Sequence, residues 1–338
     1  MNLLEKINNN QVYIIAEMSA NHGGKLDHAL EIVRAAKEAG ADCLKIQTYT
    51  ASTMTIKCDQ EHFKIKGGLW DGQYLYDLYQ VAHTPWEWHL PIMEECEKSG
   101  LDFLSTPFDR TSVDFLEELG VEFYKIASFE LVDLPLIEYV AEKGKPMILS
   151  CGMASVEEIQ DAVAVVRQRG VQEVVLLKCC SEYPAKYENM NLSVIPAMSR
   201  EFALPVGLSD HSMGSLAAVV AVSLGAKVVE KHFCLSRSIK NPDSDFSMEP
   251  AEFKAMVEDI KSAIDVLGSP SYELSVSERS SLVFRRSIFA VKNIEAGERF
   301  TEENIKIIRP GYGAKPKHYP NLLEQRAGRN YSVGDPIL

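Results

Sequence analysis

The chain has 338 residues, more than the roughly 250 that an α/β barrel alone typically takes, so one barrel with a small extra domain accounts for the length. Apolar residues make up 46% and charged residues 25%, proportions that exclude extensive disorder. A formal charge of -13 excludes general attraction to nucleic acid or an anionic membrane, and an anionic substrate would have to meet locally concentrated cations.

Short apolar, β-branched runs alternate with longer helical patterns along the chain. Runs at 13–20 (YIIAEMSA), 43–48 (CLKIQT), 102–107 (DFLSTP) and 123–128 (FYKIAS) are followed by 147–152 (MILSCG), 174–181 (VVLLKCCS), 205–211 (PVGLSDH) and 227–233 (KVVEKHF). Eight strands predict a (β/α)8 barrel, although an open doubly wound sheet has the same local alternation. Helices between them should stop at Gly40, Gly100, Gly120, Gly144, Gly170 and Gly225, each placed for a left-handed C-cap. Residues 50–83, with Gly67-Gly68-Leu69-Trp70-Asp71-Gly72, interrupt the rhythm, as insertions that shape a substrate mouth do. Thr84-Pro85-Trp86-Glu87 predicts a capping box with proline at the first helical position, and Ser155 with Glu158 predicts another box. A helix from about Ala251 should end at Gly268. Residues 1–268 therefore read as a catalytic barrel, 269–286 as a polar linker, and 287–338 as a small, mostly β module with one helix starting at Thr301–Asn304.

Seven cysteines without a CxxC pair, and no basic-apolar leader, point to a reduced, cytoplasmic protein. The Cys179-Cys180 pair reads as strand packing rather than as a nucleophile. No apolar run approaches the roughly 20 residues of a membrane span, so neither membrane nor nucleic acid is an expected partner.

Barrel chemistry sits where the strands finish. Those ends carry Glu17, Lys45, Gln47, Ser105, Thr106, Lys125, Ser128, Glu130, Ser150, Ser181, Tyr183, Ser209, Asp210, His211, Glu230, Lys231 and His232. Any single hydroxyl here can be a satisfied buried polar group or a cap. A lysine inside an apolar strand is different: Lys45 and Lys125 need an anion, either a carboxylate such as Glu17 or Glu130 or a ligand phosphate, and the nearby hydroxyls favour phosphate. No Walker or dinucleotide fingerprint is present. His211 and His232 end neighbouring strands, which suits a divalent metal with open positions or, equally, a pair of buried or acid–base histidines. Asp210 serves such a metal indirectly or caps a helix. An anion pocket beside a carbonyl-polarising metal points to aldol-like or enolpyruvyl chemistry.

The blocks IIAEMSANHGG, KIQTYT, STPF, YKIASFE, LSCGM, GLSDHS, EKHF and NPDSDFSM resemble, in order and over nearly the whole chain, the motifs of the sialic acid synthase family. The tail IEAGERFTEENIKIIRPGYG is similar to the antifreeze-like (SAF) domain of those enzymes. The resemblance implies phosphoenolpyruvate held by Lys45, Thr106, Lys125, Ser128, Ser150, Ser181 and Ser209. It implies a divalent metal, commonly manganese with magnesium or cobalt as substitutes, on His211 and His232. The amino-sugar aldehyde would lie between Gln47, Phe108, Tyr183 and Asp243, with Arg309 reaching it from the partner of a domain-swapped homodimer. Lys125 and two carboxylates are the catalytic candidates, Glu130 for proton transfer with water and Glu17 for orienting the sugar, unless these carboxylates are only partners of Lys45 and Lys125. Ser181 stands where N-acetylneuraminate synthases have Asn. KGGLWDGQYLYDLY, HTPWEWH and SANHGG look most like the pseudaminic acid synthase branch, whose acceptor would be 2,4-diacetamido-2,4,6-trideoxy-altrose. The alternatives are an N-acetylneuraminate or legionaminic acid synthase, a pyruvate aldolase working without phosphoenolpyruvate, and a non-catalytic carbohydrate-binding protein.

Overall fold

The computed structural model describes residues 3–9 and 12–338, the side chains of residues 8 and 9 excepted, and separates into two compact units that meet at Gly268–Ser269. In the first unit eight apolar runs become β1 (Tyr13–Glu17), β2 (Cys43–Thr48), β3 (Asp102–Pro107), β4 (Tyr124–Ile126), β5 (Met147–Ser150), β6 (Val174–Cys179), β7 (Val206–Asp210) and β8 (Val228–His232). They pair in parallel and in chain order, and β8 closes on β1 to form a barrel. Parallel strands buried on both faces need apolar side chains inside and out. Val33, Ile92, Val113, Ile137 and Val163 accordingly fill the layer between strands and helices. Ile15, Leu104, Phe123, Ile148, Val175 and Leu177 fill the barrel's lower interior, and the helix Leu3–Asn9 plugs that end with Leu3 and Ile7. Polar strand ends are thus left with only the upper mouth to face.

Register sets which of them meet. Glu17 lies opposite Lys45 on one side and His232 on the other, Gln47 opposite Thr106, and Ser209 opposite both Cys179 and Glu230. The six helix-ending glycines have positive φ, from 68° at Gly100 to 100° at Gly225, which a side chain would strain. Ser155 and Glu158 form a reciprocal capping box on the helix Val156–Gln168. The box expected at Thr84 does not form: Pro85 is extended (φ -53°, ψ 135°), the chain turns first at Trp86–Trp88, and Thr84 Oγ1 is buried without a partner. Within residues 50–83 the helices Ala51–Met54 and Leu75–Ala82 flank an excursion closed by antiparallel bridging of Lys64 with Tyr74.

The second unit builds its core from Ile288, Phe300, Ile305, Leu322 and Ile337 around an antiparallel pair, β9 (Ser287–Ala290) and β10 (Ile305–Ile308). The helix expected from Thr301 is a turn instead. Asn304 accepts from the Thr301 amide as a cap would, but Ile305 onward is drawn into pairing with β9. The unit's helix is Tyr319–Leu323, and a short capped helix, Val276–Ser280, lies in the polar stretch before β9. No described helix is long and apolar enough to cross a membrane.

Candidate active site

Four charges sit at the centre of the barrel mouth. Lys45 Nζ is 2.7 Å from Glu17 and 3.5 Å from Glu230, and Lys125 Nζ is 3.1 Å from Glu230. All four residues are buried. Burial lowers both lysines, but Glu17 and Glu230 together hold Lys45 above its ordinary value, whereas Lys125 stays below its own, with Glu230 as main counterion and Lys45 opposing. Burial alone would raise Glu230; Lys125 and Lys45 overcome it and keep the carboxyl ionised. Glu17 goes the other way: burial and then the neighbouring Glu230 outweigh Lys45 and raise it. Its Oε2 is near enough to Lys45 for an ion pair yet is not aligned as a hydrogen bond.

Hydroxyls ring this cluster. Lys45 Nζ donates to Thr106 Oγ1 at 3.4 Å and Ser209 donates to Glu230 at 3.3 Å. Ser150 Oγ is buried with no partner, so a hydrogen-bonding group is in place for a ligand. Ser128 Oγ accepts from the Gly152 amide at 3.1 Å. A Cβ on Gly152 would stand 2.3 Å from Ser181 Oγ and 2.8 Å from Ser128 Oγ, so glycine is required here for space, not for its φ. The cavity between these groups is lined by Glu17, Lys45, Lys125, Ser150, His211 and His232 among others.

The two histidines face one another with ring centroids 5.4 Å apart. His211 Nδ1 is 2.9 Å from the Cys180 carbonyl and must donate to it, which turns Nε2 outward; His232 Nδ1 is buried and unpartnered. Burial and the His211 charge hold His232 well below its ordinary value, hence neutral. Against its burial, Cys179 and the Cys180 carbonyl raise His211, so a divalent cation with open positions would bind these two imidazoles by displacing the His211 proton, and among the described residues no third His, Cys, Asp or Glu completes a cluster. Cys179 belongs to this wall and is more than strand packing: its Sγ is 3.8 Å from His211 Nδ1 and 3.9 Å from Ser181 Oγ. Burial would raise that thiol, but His211 outweighs it and brings it to about 7. Asp210 pairs with Lys231 at 2.6 Å and accepts from the Ser212 amide at 2.8 Å in the turn ahead of the helix Leu216–Ser223, whose N-cap is Ser215, so it is not that helix's cap.

The remaining candidates surround the opening. Gln47 donates to Glu17 at 2.9 Å and to Ser19 at 3.0 Å, and Asp243 accepts from the Ala20 amide at 3.1 Å. Tyr183 stacks 4.2 Å from the His211 ring, and Phe108 meets Tyr49 edge-on at 5.3 Å. Glu130 makes no ion pair with Lys125, contrary to one expectation. Burial, opposed by its own amide, pushes its carboxyl up to about 7, and its Oε2 has no partner. Arg309, at the end of β10 in the second unit, is exposed. Sequence reading gave neither Glu230 nor Gly152, the glycine of the LSCGM block, a role. The signals for Glu230 were its place at a strand end and in the EKHF block, neither of which tells its role.

Fold and site together define a (β/α)8-barrel protein whose mouth concentrates buried lysines and hydroxyls beside a pair of facing histidines. The NeuB family model matches residues 32–272 and the SAF domain model residues 285–338. The chain belongs to the NeuB family. It is 46% identical to the pseudaminic acid synthase of Campylobacter jejuni, over 97% of this chain and 95% of that one. It is 45% identical to that of Helicobacter pylori, over 96% of each. A crystal structure of N-acetylneuraminic acid (sialic acid) synthetase from Leptospira borgpetersenii superposes with a TM-score of 0.72 at 32% identity, covering 80% of this chain and 90% of that one.

Proposed function

We propose that the chain condenses phosphoenolpyruvate with 2,4-diacetamido-2,4,6-trideoxy-altrose and water, giving pseudaminic acid and phosphate. The observation that carries this reading is the 46% identity to a pseudaminic acid synthase along almost the whole chain. In this reading Lys45, Lys125, Thr106, Ser128, Ser150, Ser181 and Ser209 bind phosphoenolpyruvate at the bottom of the mouth, where Glu230 and Glu17 hold the lysines in place. Gln47, Phe108, Tyr183 and Asp243 orient the sugar above it. A divalent cation on His211 and His232, manganese or in its place magnesium or cobalt, supplies polarisation of the aldehyde oxygen when bound. Phosphoenolpyruvate C3 attacks the aldehyde carbon, water adds at C2, and Glu130 takes the proton that this water gives up while the new alkoxide gains one. The tetrahedral centre then expels phosphate by C–O cleavage, so the oxygen from water stays on the product.

Residues 1–268 carry this chemistry, with 269–286 as linker and 287–338 as the SAF domain. Phe129 (60% exposed), Met153 (65%) and Leu216 (56%) leave the rim of the mouth apolar, which supports a domain-swapped homodimer in which the partner's SAF domain covers it and brings Arg309 to the sugar. The cytoplasm, where phosphoenolpyruvate is available, is the compartment this reading requires. Decoration of flagellin or surface polysaccharide is the use it implies.

Phosphate release is to be measured with phosphoenolpyruvate and three acceptors: N-acetylmannosamine, the 2,4-diacetamido mannose-type sugar and the altrose-type sugar. Turnover should be confined to the last, should stop with chelator and return with manganese. In labelled water the label should enter product C2. Preference for N-acetylmannosamine, or label in phosphate, would overturn the reading.

A further inference from the structure

Between β2 and β3, residues 64–74 leave the barrel as a narrow excursion. Ile65 donates to the Gln73 carbonyl at 2.8 Å and Gly72 to the Ile65 carbonyl at 2.9 Å, and Gly67, Gly68 and Gly72 take positive φ of 79°, 75° and 83°. A Cβ at any of these glycines would touch nothing, so they shape the backbone without packing on the barrel. Leu69 at the tip is 43% exposed, while the next residue, Trp70, turns inward. Its Nε1–H donates to the Pro242 carbonyl at 3.1 Å, and its ring lies 5.8 Å from Tyr183 and 6.5 Å from Phe246. Tyr183 and Phe246 are 5.2 Å apart, and they pack 4.2 Å and 4.9 Å from His211 and His232 respectively.

One indole therefore joins three loops into an aromatic wall that begins at the two histidines and climbs toward solvent. The lysine cluster and the apolar plug close the barrel below, so a sugar whose aldehyde carbon lies at the histidines extends upward with this wall along one side. At its Trp70 end the wall offers no free side-chain donor, since the indole N–H is already committed to Pro242. A methyl group packed there loses nothing, whereas a hydroxymethyl gives up water for no replacement.

We infer that Trp70 is a specificity-determining residue, forming with Tyr183, and with buried Phe246 packed behind them, the apolar wall that receives the deoxygenated C6 end of the acceptor. The inference rests on the condensation proposed above and assigns a contact to one end of its sugar. Tyr183 also lines the cavity that holds Lys45, Lys125 and Ser150, but Trp70 does not.

The test is steady-state phosphate release by the full chain and its Trp70→Ala and Trp70→Phe variants. Each is given the 6-deoxy diacetamido acceptor and its 6-hydroxy counterpart. The parent should favour the 6-deoxy sugar by about tenfold or more in kcat/KM. Trp70→Ala should raise the KM for that sugar by about tenfold, leave the KM for phosphoenolpyruvate within about twofold, and bring the preference close to one. Trp70→Phe, which keeps an apolar ring and folds with less disruption, should retain most of the preference. An unchanged preference in both variants, or an equal rise in both KM values, would overturn the inference while leaving the proposed reaction standing. A parent that releases no phosphate with either sugar would overturn the reaction, and the inference with it.

Discussion

Glu230 lies 3.1 Å from Lys125 and 3.5 Å from Lys45, so neutralising it leaves two buried ammonium groups short of a counterion. Breaking a buried pair from one side costs on the order of 3 kcal/mol. Glu230→Gln should therefore lower the melting temperature markedly, and inorganic phosphate should recover more of it than it adds to the parent. Equal phosphate gains in both proteins would argue against anion binding at these lysines. Glu130 makes a second prediction. Its folded value, about 7, is raised from an ordinary 4.5, so the folded protein holds this proton more tightly than the unfolded chain. That contribution to stability is complete below about 4.5 and is lost as pH rises through about 7. Glu130→Gln should flatten this slope in denaturant titrations and become the more stable protein at pH 8. If Glu130 takes the proton from water, the parent's kcat falls on the acid side of about 7, and the variant loses that limb together with roughly a hundredfold in rate.

At the scale of elements, the helix Val156–Gln168 starts directly after the Ser150–Gly152 segment of the mouth and is held by the Ser155–Glu158 box. Ser155→Ala should cost about 1 kcal/mol in chemical denaturation. The barrel strands were legible because burial on both faces forces uninterrupted apolar runs, as in CLKIQT and DFLSTP, whose bounds agree with β2 and β3. Elsewhere the runs overshoot the strands. YIIAEMSA ends pairing at Glu17, and Ser19–His22 coils into a tight helical turn, because the same polar residues that finish a strand begin the mouth. Local signals misled where a distant partner decided the outcome. Thr301–Asn304 has the chemistry of a helix start, but β9 claims the residues that follow. Glu230 is the same problem in the site: its lysines lie across the barrel on β2 and β4, and no spacing within the chain tells which strand ends converge. The role of Gly152, though the residue sits in the LSCGM block, left no signal because its need is for room beside Ser128 and Ser181, which only the folded mouth creates.

For the whole molecule, the dimer reading predicts complementation. A His232→Ala copy keeps its Arg309, and an Arg309→Ala copy keeps its histidine pair. If Arg309 acts on the partner's barrel, each variant alone is weak, and mixing them after reversible dissociation restores one intact site per hybrid dimer. Recovered phosphate release would support action in trans, and none would mean that Arg309 serves its own barrel or neither. The Lys45, Lys125, Glu17 and Glu230 cluster has a further consequence at this scale. Bare paired lysines would hold whatever phosphate or carboxylate reached them from a cell rich in both. Here two resident carboxylates already occupy the ammonium groups, so a newcomer gains only by the difference between what it offers and what they do. The mouth thus works as an exchanger rather than a sponge, and discrimination among metabolite anions begins with the competitor that the protein carries in its own strands.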